Sequence, residues 1–587
     1  MRISFPAAST SSSERGRAIT IFVDGQPVIA YEGETVAAVL LAETRRTFRR
    51  TPGRNEPRGL FCGIGVCYDC LVTVNGQANV RACQTPVVEG MRVTTEKTQR
   101  QWRQPASSAR AERGGQADLY VEAAVVGAGP AGLEAAIAAA GASVRVALLD
   151  SASQLGGQYF KGPDWQPVPQ QDAEAAALFA RVRDIPTLQH FVKTQVWGAF
   201  PEGDGWLLTL DGPSAPFRIH TQTLILATGA YDRPIAFPGW TLPGVMTAGA
   251  AQTLLKSQNI LPGKRVVVAG AGPLHWVVAA QLVRAGAEVV AVLEAVPRAR
   301  FLHPKHIPAL WRQWQRLREG WEAWRALRRA DVTMRFGWGV LRAHGHEQVE
   351  AVTITPLDEQ WTPQPGRAET VPADTVVIGY GFLPANQLTR LLGCEHEYAP
   401  RRGGWIPRRD AWMQTSLPGL FAVGDGAGVG GAALARIEGA LAGLYAAHLL
   451  GRLSKEDLHR AETSLRRRLR REQRFATMLG DLFTPGPGLY TLADETTIIC
   501  RCEEVRLGDI QRARAAGAET LNEIKGLTRA GMGNCQGRIC GDLMAHALVS
   551  GDVATQEQQL RNLGMLSVRP PIHPLTVETL AEAAEDM

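Results

Sequence analysis

The stretch EAAVVGAGPAG, Glu122 to Gly132, decides the fold of this 587-residue chain. Glu122–Val126 reads as a short apolar strand, and Gly127, Gly129 and Gly132 follow it at the spacing of a tight turn that opens a helix. Three positions without side chains let a pyrophosphate come close to the helix N-terminus, where unpaired N–H groups favour an anion. An Ala-rich helix then leads to a second apolar strand, Val144–Leu149, which ends in Asp150, an acid suited to ribose hydroxyls. Strand, turn, helix, strand and acid in that order specify a dinucleotide-binding unit and an α/β class.

A second unit of the same kind lies downstream. Lys264–Ala269 is followed by Gly270, Gly272 and Pro273, and the strand Val289–Leu293 ends at Glu294. The third glycine position holds His275, followed by Trp276, and bulk there crowds the turn. Glu294 would repel a 2′-phosphate, which disfavours NADP. Around both units stand Leu155-Gly156-Gly157-Gln158, Leu226-Ala227-Thr228-Gly229 and Pro418 through Gly424-Asp425. Together these motifs resemble the two-dinucleotide-binding flavoproteins over roughly Val121–Leu450. The resemblance implies FAD, held by Gly127, Gly129, Pro130, Ala131, Gly132, Asp150, Gly157, Gln158, Thr228, Gly229, Gly424 and Asp425. It puts Asp425 on the ribityl chain and aims a helix from about Gly430 at the isoalloxazine ring; the plainer reading of Asp425 is a helix cap. No Cys-x-x-Cys occurs between Gly132 and Lys264, so the chain does not look like a disulfide reductase.

Nine cysteines fall as four, one and four. The first group, Cys62-x4-Cys67-x2-Cys70-x12-Cys83, has plant-type ferredoxin spacing, with Gly63 and Gly65 giving the backbone room near the sulfurs. A strand, a turn at Asp24-Gly25, a second strand and a helix are expected before it, and a hairpin at Asn75-Gly76 within it. The alternatives are a four-thiolate zinc site, which usually pairs two Cys-x-x-Cys knuckles, or a redox pair that would leave Cys62 and Cys83 idle. The last group, Cys500-x-Cys502-x32-Cys535-x4-Cys540, resembles the bacterioferritin-associated-ferredoxin type of [2Fe–2S] domain, again with zinc as the alternative. Cys394 stands alone, a buried structural thiol by default.

Composition narrows the classes further. Apolar residues make up 45% and charged residues 20%, as in a globular protein. A net charge of +6 over this length is not the footprint of a nucleic-acid binder. No N-terminal signal is visible, the clustered cysteines suit a reducing compartment, and a cytoplasmic location is expected. The Gly- and Ala-rich stretches Ala123–Ala142 and Gly426–Leu450 read as nucleotide-binding turns with their helices, not as membrane spans. Leu310, Trp314, Leu317, Trp321 and Trp324 form a stripe expected to pack as the inner face of a surface helix; a partner-docking helix and a membrane-surface helix are the alternatives. The histidines at 303, 306, 344 and 346 show no ligand spacing, and Leu458–Gln473 reads as a basic, solvated helix.

In this order, over about Thr20–Ala581, the motifs resemble the electron-transfer (alpha) subunits of heteromeric dye-linked dehydrogenases: hydrogen cyanide synthase, opine oxidases, proline or hydroxyproline dehydrogenases and, more distantly, heterotetrameric sarcosine oxidase. The closing Arg569–Pro574 carries the same likeness, and no folate-type domain follows. The implied layout is a frayed tail over 1–17, a ferredoxin-like α+β domain over 18–98, a linker over 99–118 and an FAD domain over 119–245 and 366–455. An inserted, degenerate NAD(P)-like domain over 246–365 follows from it, then a helical connector over 456–495, a small helical [2Fe–2S] domain over 496–555 and a tail over 556–587. The resemblance implies FAD and two [2Fe–2S] clusters, and allows ATP, NAD or nothing at Gly270, Gly272, Pro273 and Glu294, and an FMN at a subunit boundary. It implies a D-amino-acid-oxidase-like beta subunit that oxidises an amino acid, imino acid or opine, a dye or quinone acceptor, and room for peripheral membrane attachment. No catalytic base is evident on this chain. The rival reading is an NADH-dependent flavin reductase that delivers electrons through its ferredoxin domain.

Overall fold

The computed structural model describes residues 1–3, 15–95, 118–163, 173–577 and 579–581. The chain forms two compact units, each assembled from separated segments. One unit comprises 1–108, 232–381 and 482–566, and the other 109–231, 382–481 and 567–587.

The second unit carries the opening motif. Leu119–Val126 is buried almost throughout and pairs in parallel with Val146–Leu149 on one side and Arg218–Leu226 on the other. Strands Leu188–Phe191 and Leu420–Ala422 extend the parallel part, and Gly205–Asp211 and Gln195–Glu202 add an antiparallel edge. Apolar runs of this kind, without alternation, are what a sheet covered on both faces requires. Helix Pro130–Ala140 packs against helix Ala432–Leu449 at backbone distance, since a Cβ on Gly439 would lie 2.0 Å from the Ala131 carbonyl oxygen and one on Gly443 would lie 2.3 Å from that of Ala135. The closing segment returns here: the Ile572 N–H donates to the Trp197 carbonyl at 2.9 Å.

In the first unit, Ala18–Val23 and Gln26–Tyr31 form a hairpin turned at Asp24 and Gly25, both at positive φ, as a two-residue turn demands. Arg92–Thr94, Leu71–Val74 and Gln77–Arg81 complete a five-stranded mixed sheet under helix Val36–Ala42, whose N-cap Thr35 accepts from the Ala38 N–H. A second sheet is fully parallel: Val245–Thr247, Thr375–Gly379, Arg265–Gly270, Glu288–Glu294 and Thr333–Phe336. A hairpin at Ile498–Arg506 and helices Leu507–Ala515, Leu521–Thr528, Cys540–Ala547 and Val553–Leu563 make the small C-terminal domain. One hydrophobic core runs through all three parts: Phe61 and Tyr68, Val267 and Tyr380, Ile499 and Leu543 belong to it. The expected α/β class, with a small mixed-sheet domain at the start and a small helical domain at the end, is thus the observed one.

Several expectations need amendment. The tail expected to fray over 1–17 is anchored at both described ends, because Arg2 and Arg15 reach the fully buried Glu34 carboxylate at 3.1 and 2.9 Å. The chain passes between units at Tyr231–Asp232 and Gly381–Phe382, so strands Val245–Thr247 and Thr375–Gly379 belong to the parallel sheet of the inserted part. The expected linker falls almost wholly outside the described residues. The Trp314 stripe does not face inward. Helix Trp314–Arg329 buries Ala323 and Leu327 and leaves Trp314, Leu317, Trp321 and Trp324 exposed. Ala323 and Leu327 form its buried row, and the helix packs on helix Pro273–Arg284. Among the described residues no helix is long and apolar enough to cross a membrane.

Candidate redox centres

The first cysteine group lines a buried loop. Gly63 and Gly65 adopt positive φ, as does Tyr68, and the chain curls around its own sulfurs. The Cys67 N–H points at the Cys62 Sγ at 3.4 Å, and Cys83 arrives on a short turn, Ala82–Gln84, just past the strand that ends at Arg81. Cys62 contacts Cys67 and Cys83, and Cys83 also contacts Cys70. In the second group Cys502 lies 3.5 Å from Cys535, sulfur to sulfur, and Cys500 contacts Cys540. The Cys540 contact draws the Cys500 thiol down to about 7, with help from the backbone N–H groups of Gly531, Glu503 and Cys502, which aim at its sulfur. Among the described residues, no three Cys, His, Asp or Glu side chains are arranged to hold a single metal ion. The thiols of the second group are gathered in twos, and in both groups amide N–H groups are directed at sulfur, which fits a two-iron cluster with two thiolates on each iron better than one tetrahedral zinc. Cys62, Cys67, Cys70 and Cys83 would hold one cluster, and Cys500, Cys502, Cys535 and Cys540 the other. Cys394 is buried elsewhere, and burial pushes its thiol up.

The two loops touch. The Cys502 Sγ lies 3.9 Å from the Cys67 carbonyl oxygen. Arg501, between Cys500 and Cys502, donates from Nε to Asp69 Oδ2 at 2.5 Å, and Asp69 lies between Cys67 and Cys70. Both side chains are almost wholly buried. The guanidinium stacks on Phe61 and Trp240 with its carbon 4.1 and 4.6 Å from the ring centres, and it donates to the Trp240 carbonyl at 2.8 Å. The Trp240 indole N–H in turn donates to the Ile498 carbonyl at 2.7 Å. Glu504 accepts from the Thr51 hydroxyl at 2.5 Å and the Gly53 N–H at 2.9 Å. A buried ion pair of this kind acts as a registration device, because removal of one partner leaves a charge without compensation. Sequence reasoning missed Arg501, Asp69, Trp240 and Glu504. The available signal was their position beside ligand cysteines, but their pairing exists only in the fold.

In the other unit the glycines build a narrow cradle. A Cβ on Gly132 would sit 1.7 Å from the Gly127 carbonyl oxygen, and one on Gly157 would sit 2.9 Å from the Gly129 Cα. Asp150 accepts from the Ala128 N–H at 2.6 Å and the Ala152 N–H at 2.8 Å, while burial pushes its carboxyl up. Asp425 accepts from the Gly430 and Gly431 N–H groups at 2.9 Å, at the start of helix Ala432–Leu449. Its neighbour Gly426 has no room for a Cβ, which would meet the Thr228 Oγ1 at 2.7 Å and the Gly229 nitrogen at 3.1 Å. Thr228 donates to the Ala385 carbonyl at 2.6 Å. Gln158 is exposed at the rim. A further residue, Glu438, holds this end of the site: it accepts from the Gly424 N–H and from Arg409, both at 2.9 Å. Backbone-lined space at a helix N-terminus fits an FAD pyrophosphate.

Around the turn at Gly270, Gly272 and Pro273 the side chains pack together. His275 is fully buried, and its Nε2 faces the Glu294 carboxylate at 3.6 Å. Burial pushes Glu294 up to about 8 and His275 down to about 3, so both are neutral at pH 7. The Phe483 ring lies against Gly272 and packs on Phe301, which itself meets Trp276.

These geometries coincide with known families. Residues 16–98 match the 2Fe-2S iron-sulfur cluster binding domain, residues 121–447 the pyridine nucleotide-disulphide oxidoreductase family, and residues 498–548 the BFD-like [2Fe-2S] binding domain. Hydrogen cyanide synthase subunit HcnB of Pseudomonas protegens is 33% identical over 77% of this chain and 95% of its own length. The A subunit of opine oxidase from Rhizobium meliloti is 33% identical over 79% of this chain and 99% of its own. This chain belongs to their family. A member of it is an FAD- and iron–sulfur-dependent oxidoreductase subunit of a heteromeric enzyme, and the three matched domains agree with that. The alpha subunit of sarcosine oxidase from a Corynebacterium strain is a more distant relative, 26% identical over 97% of this chain and 56% of its own length. The crystal structure of an L-proline dehydrogenase from P. horikoshii shares the fold, with a TM-score of 0.70 at 21% identity over 97% of this chain and 98% of that one.

Two outcomes follow from these contacts. A Cβ at Gly533 would lie 2.3 Å from the Cys502 Cβ, so Gly533→Ala should empty the second site and leave the first filled. Iron and acid-labile sulfide per chain should then fall from about four to about two of each, by chemical assay of the anaerobically purified protein. Glu294 has a raised folded pKa, so its contribution to stability is complete below about 4.5 and is lost as pH climbs through about 8. Glu294→Gln should match the native unfolding midpoint near pH 5 and exceed it by a few degrees near pH 9, by differential scanning calorimetry.

Proposed function

We propose that this chain relays electrons within a multi-subunit dehydrogenase for an amino acid, imino acid or opine. A separate D-amino-acid-oxidase-like flavoprotein would abstract the hydride, and a dye- or quinone-type acceptor would receive the electrons. When bound, FAD exchanges electrons singly or in pairs and each cluster exchanges one, which suits conversion between a two-electron donor and a one-electron chain. What carries this reading is the contact of the two cysteine loops through Cys67, Cys502 and the Arg501–Asp69 pair. Two single-electron centres locked into one core serve a relay, and a lone storage site would not need the second. HcnB and the opine oxidase A subunit match 77% and 79% of this chain, so a little over a fifth has no counterpart in them, about the share made up by residues 1–118, which supports the ferredoxin-like part being a fused carrier.

The cofactor residues are assigned as described: the eight cluster cysteines, and Gly127, Gly129, Pro130, Ala131, Gly132, Asp150, Gly157, Gln158, Thr228, Gly229, Gly424 and Asp425 for FAD. We read the second dinucleotide turn as structural, binding neither NAD nor ATP, because His275, Glu294 and Phe483 fill it from within. That counts against the NADH-reductase reading. The family likeness also allows an FMN where the subunits meet, to be counted among the flavins released from the complex. The location fits the cytoplasmic face of the inner membrane, with peripheral attachment.

Anaerobic stopped-flow mixing separates the readings. NADH should leave the flavin of the purified chain oxidised, and candidate amines should do the same. The amine with the partner subunit present should bleach flavin and clusters together. Rapid bleaching by NADH alone would favour the reductase, and full-rate amine oxidation by this chain alone would remove the need for a partner.

A further inference from the structure

The helix Trp314–Arg329 turns its largest side chains to solvent. Trp311 and Trp314 are each 73% exposed, Trp321 is 52% exposed and Trp324 is 42% exposed. Successive helical positions lie about 100° apart, so Trp314, Leu317, Trp321 and Trp324 fall on one outward arc of roughly 140°. The other occupants of that arc are Arg318, Arg325, Arg328 and Arg329. Both acids of the helix, Glu319 and Glu322, fall beyond its edge. Two of these arginines lie over the rings: the Arg325 guanidinium is 5.0 Å from the centre of Trp321, and that of Arg328 is 5.7 Å from the centre of Trp324, while Arg318 pairs with Glu322 at 2.8 Å.

Charge is concentrated here as well. From Pro297 to Asp331 the sequence has nine Lys and Arg against three Asp and Glu, a net +6, which equals the excess of the entire chain. The charges of the rest of the chain sum to zero. A helix of low mean hydropathy with a wide arc of tryptophan and arginine matches what lies in the plane of a lipid headgroup layer. Indole rings prefer the boundary between headgroups and acyl chains, and arginine stems extend while their charges reach phosphate.

We propose that this helix seats the chain on an anionic lipid bilayer, with the Trp314–Trp324 face in the headgroup region. The proposal rests on the peripheral-attachment reading above and names its surface. It also gives the relay access to an acceptor dissolved in the bilayer. The chemistry recognised is a sheet of phosphodiester anions over an apolar layer, not a particular lipid.

Vesicle flotation of the assembled holoenzyme tests this. Vesicles of phosphatidylcholine with a minority of phosphatidylglycerol should carry the enzyme, vesicles of phosphatidylcholine alone should carry far less, and added salt should release it. Arg325→Gln with Arg328→Gln should weaken binding roughly tenfold or more, given the loss of two charges near the surface. Trp321→Ala with Trp324→Ala should weaken it similarly, with flavin content, iron content and dye-coupled activity unchanged. If native enzyme floats and both double variants float equally, another surface makes the attachment and the proposal fails alone. If native enzyme does not float, the proposal and the peripheral reading fail together. If the variants lose the partner subunit on gel filtration, the face is a protein interface and the proposal is wrong.

Discussion

The buried pair Arg501–Asp69 is the constraint on which the arrangement of the first unit depends. It joins two loops whose residues are 432 positions apart in sequence, and each member is flanked by cysteines on both sides. Two charges removed from water are costly unless geometry and further hydrogen bonds compensate them. Here the compensation is specific: the Trp240 carbonyl, the faces of Phe61 and Trp240, and Arg49 Nη2 at 3.7 Å from the second Asp69 oxygen. A slip of either loop by one residue would strand a charge in the core. The ion pair therefore fixes register between the cysteine loops, and Glu504 on the Thr51–Gly53 turn repeats the device at their edge.

The same logic separates the two dinucleotide folds. Where a ligand is to enter, side chains are withheld: Gly127, Gly132 and Gly157 have no room for a Cβ, and Asp150 and Asp425 are held by backbone N–H groups. At the second turn, side chains are supplied. His275 and Glu294 face each other in neutral form within the core, and Phe483 covers Gly272. The sheet that carries this turn keeps a fully parallel order, so the topology of a dinucleotide-binding unit is retained around these side chains.

What could be read from sequence was whatever chemistry writes locally. Cysteine spacing, glycine spacing and the terminal acids of strands are set by neighbours a few residues away, and those elements lie where the spacing indicated. The contact between the two cysteine groups could not be read, because it joins Asp69 to Arg501 across the inserted domain, and spacing carries no information at that range. The Trp314 stripe was misjudged for a different reason. Periodicity identifies an apolar face but not its direction, and only the burial of Ala323 and Leu327 shows that the rings point outward.

The central claim is that the two clusters form one coupled pair. Low-temperature electron paramagnetic resonance of the fully reduced holoenzyme tests it most directly. The account predicts that the signals of the two reduced clusters broaden and split each other, and that Gly533→Ala leaves a single unsplit signal from the first site. Two sharp spectra that add without interaction, in enzyme with full iron content, would contradict it.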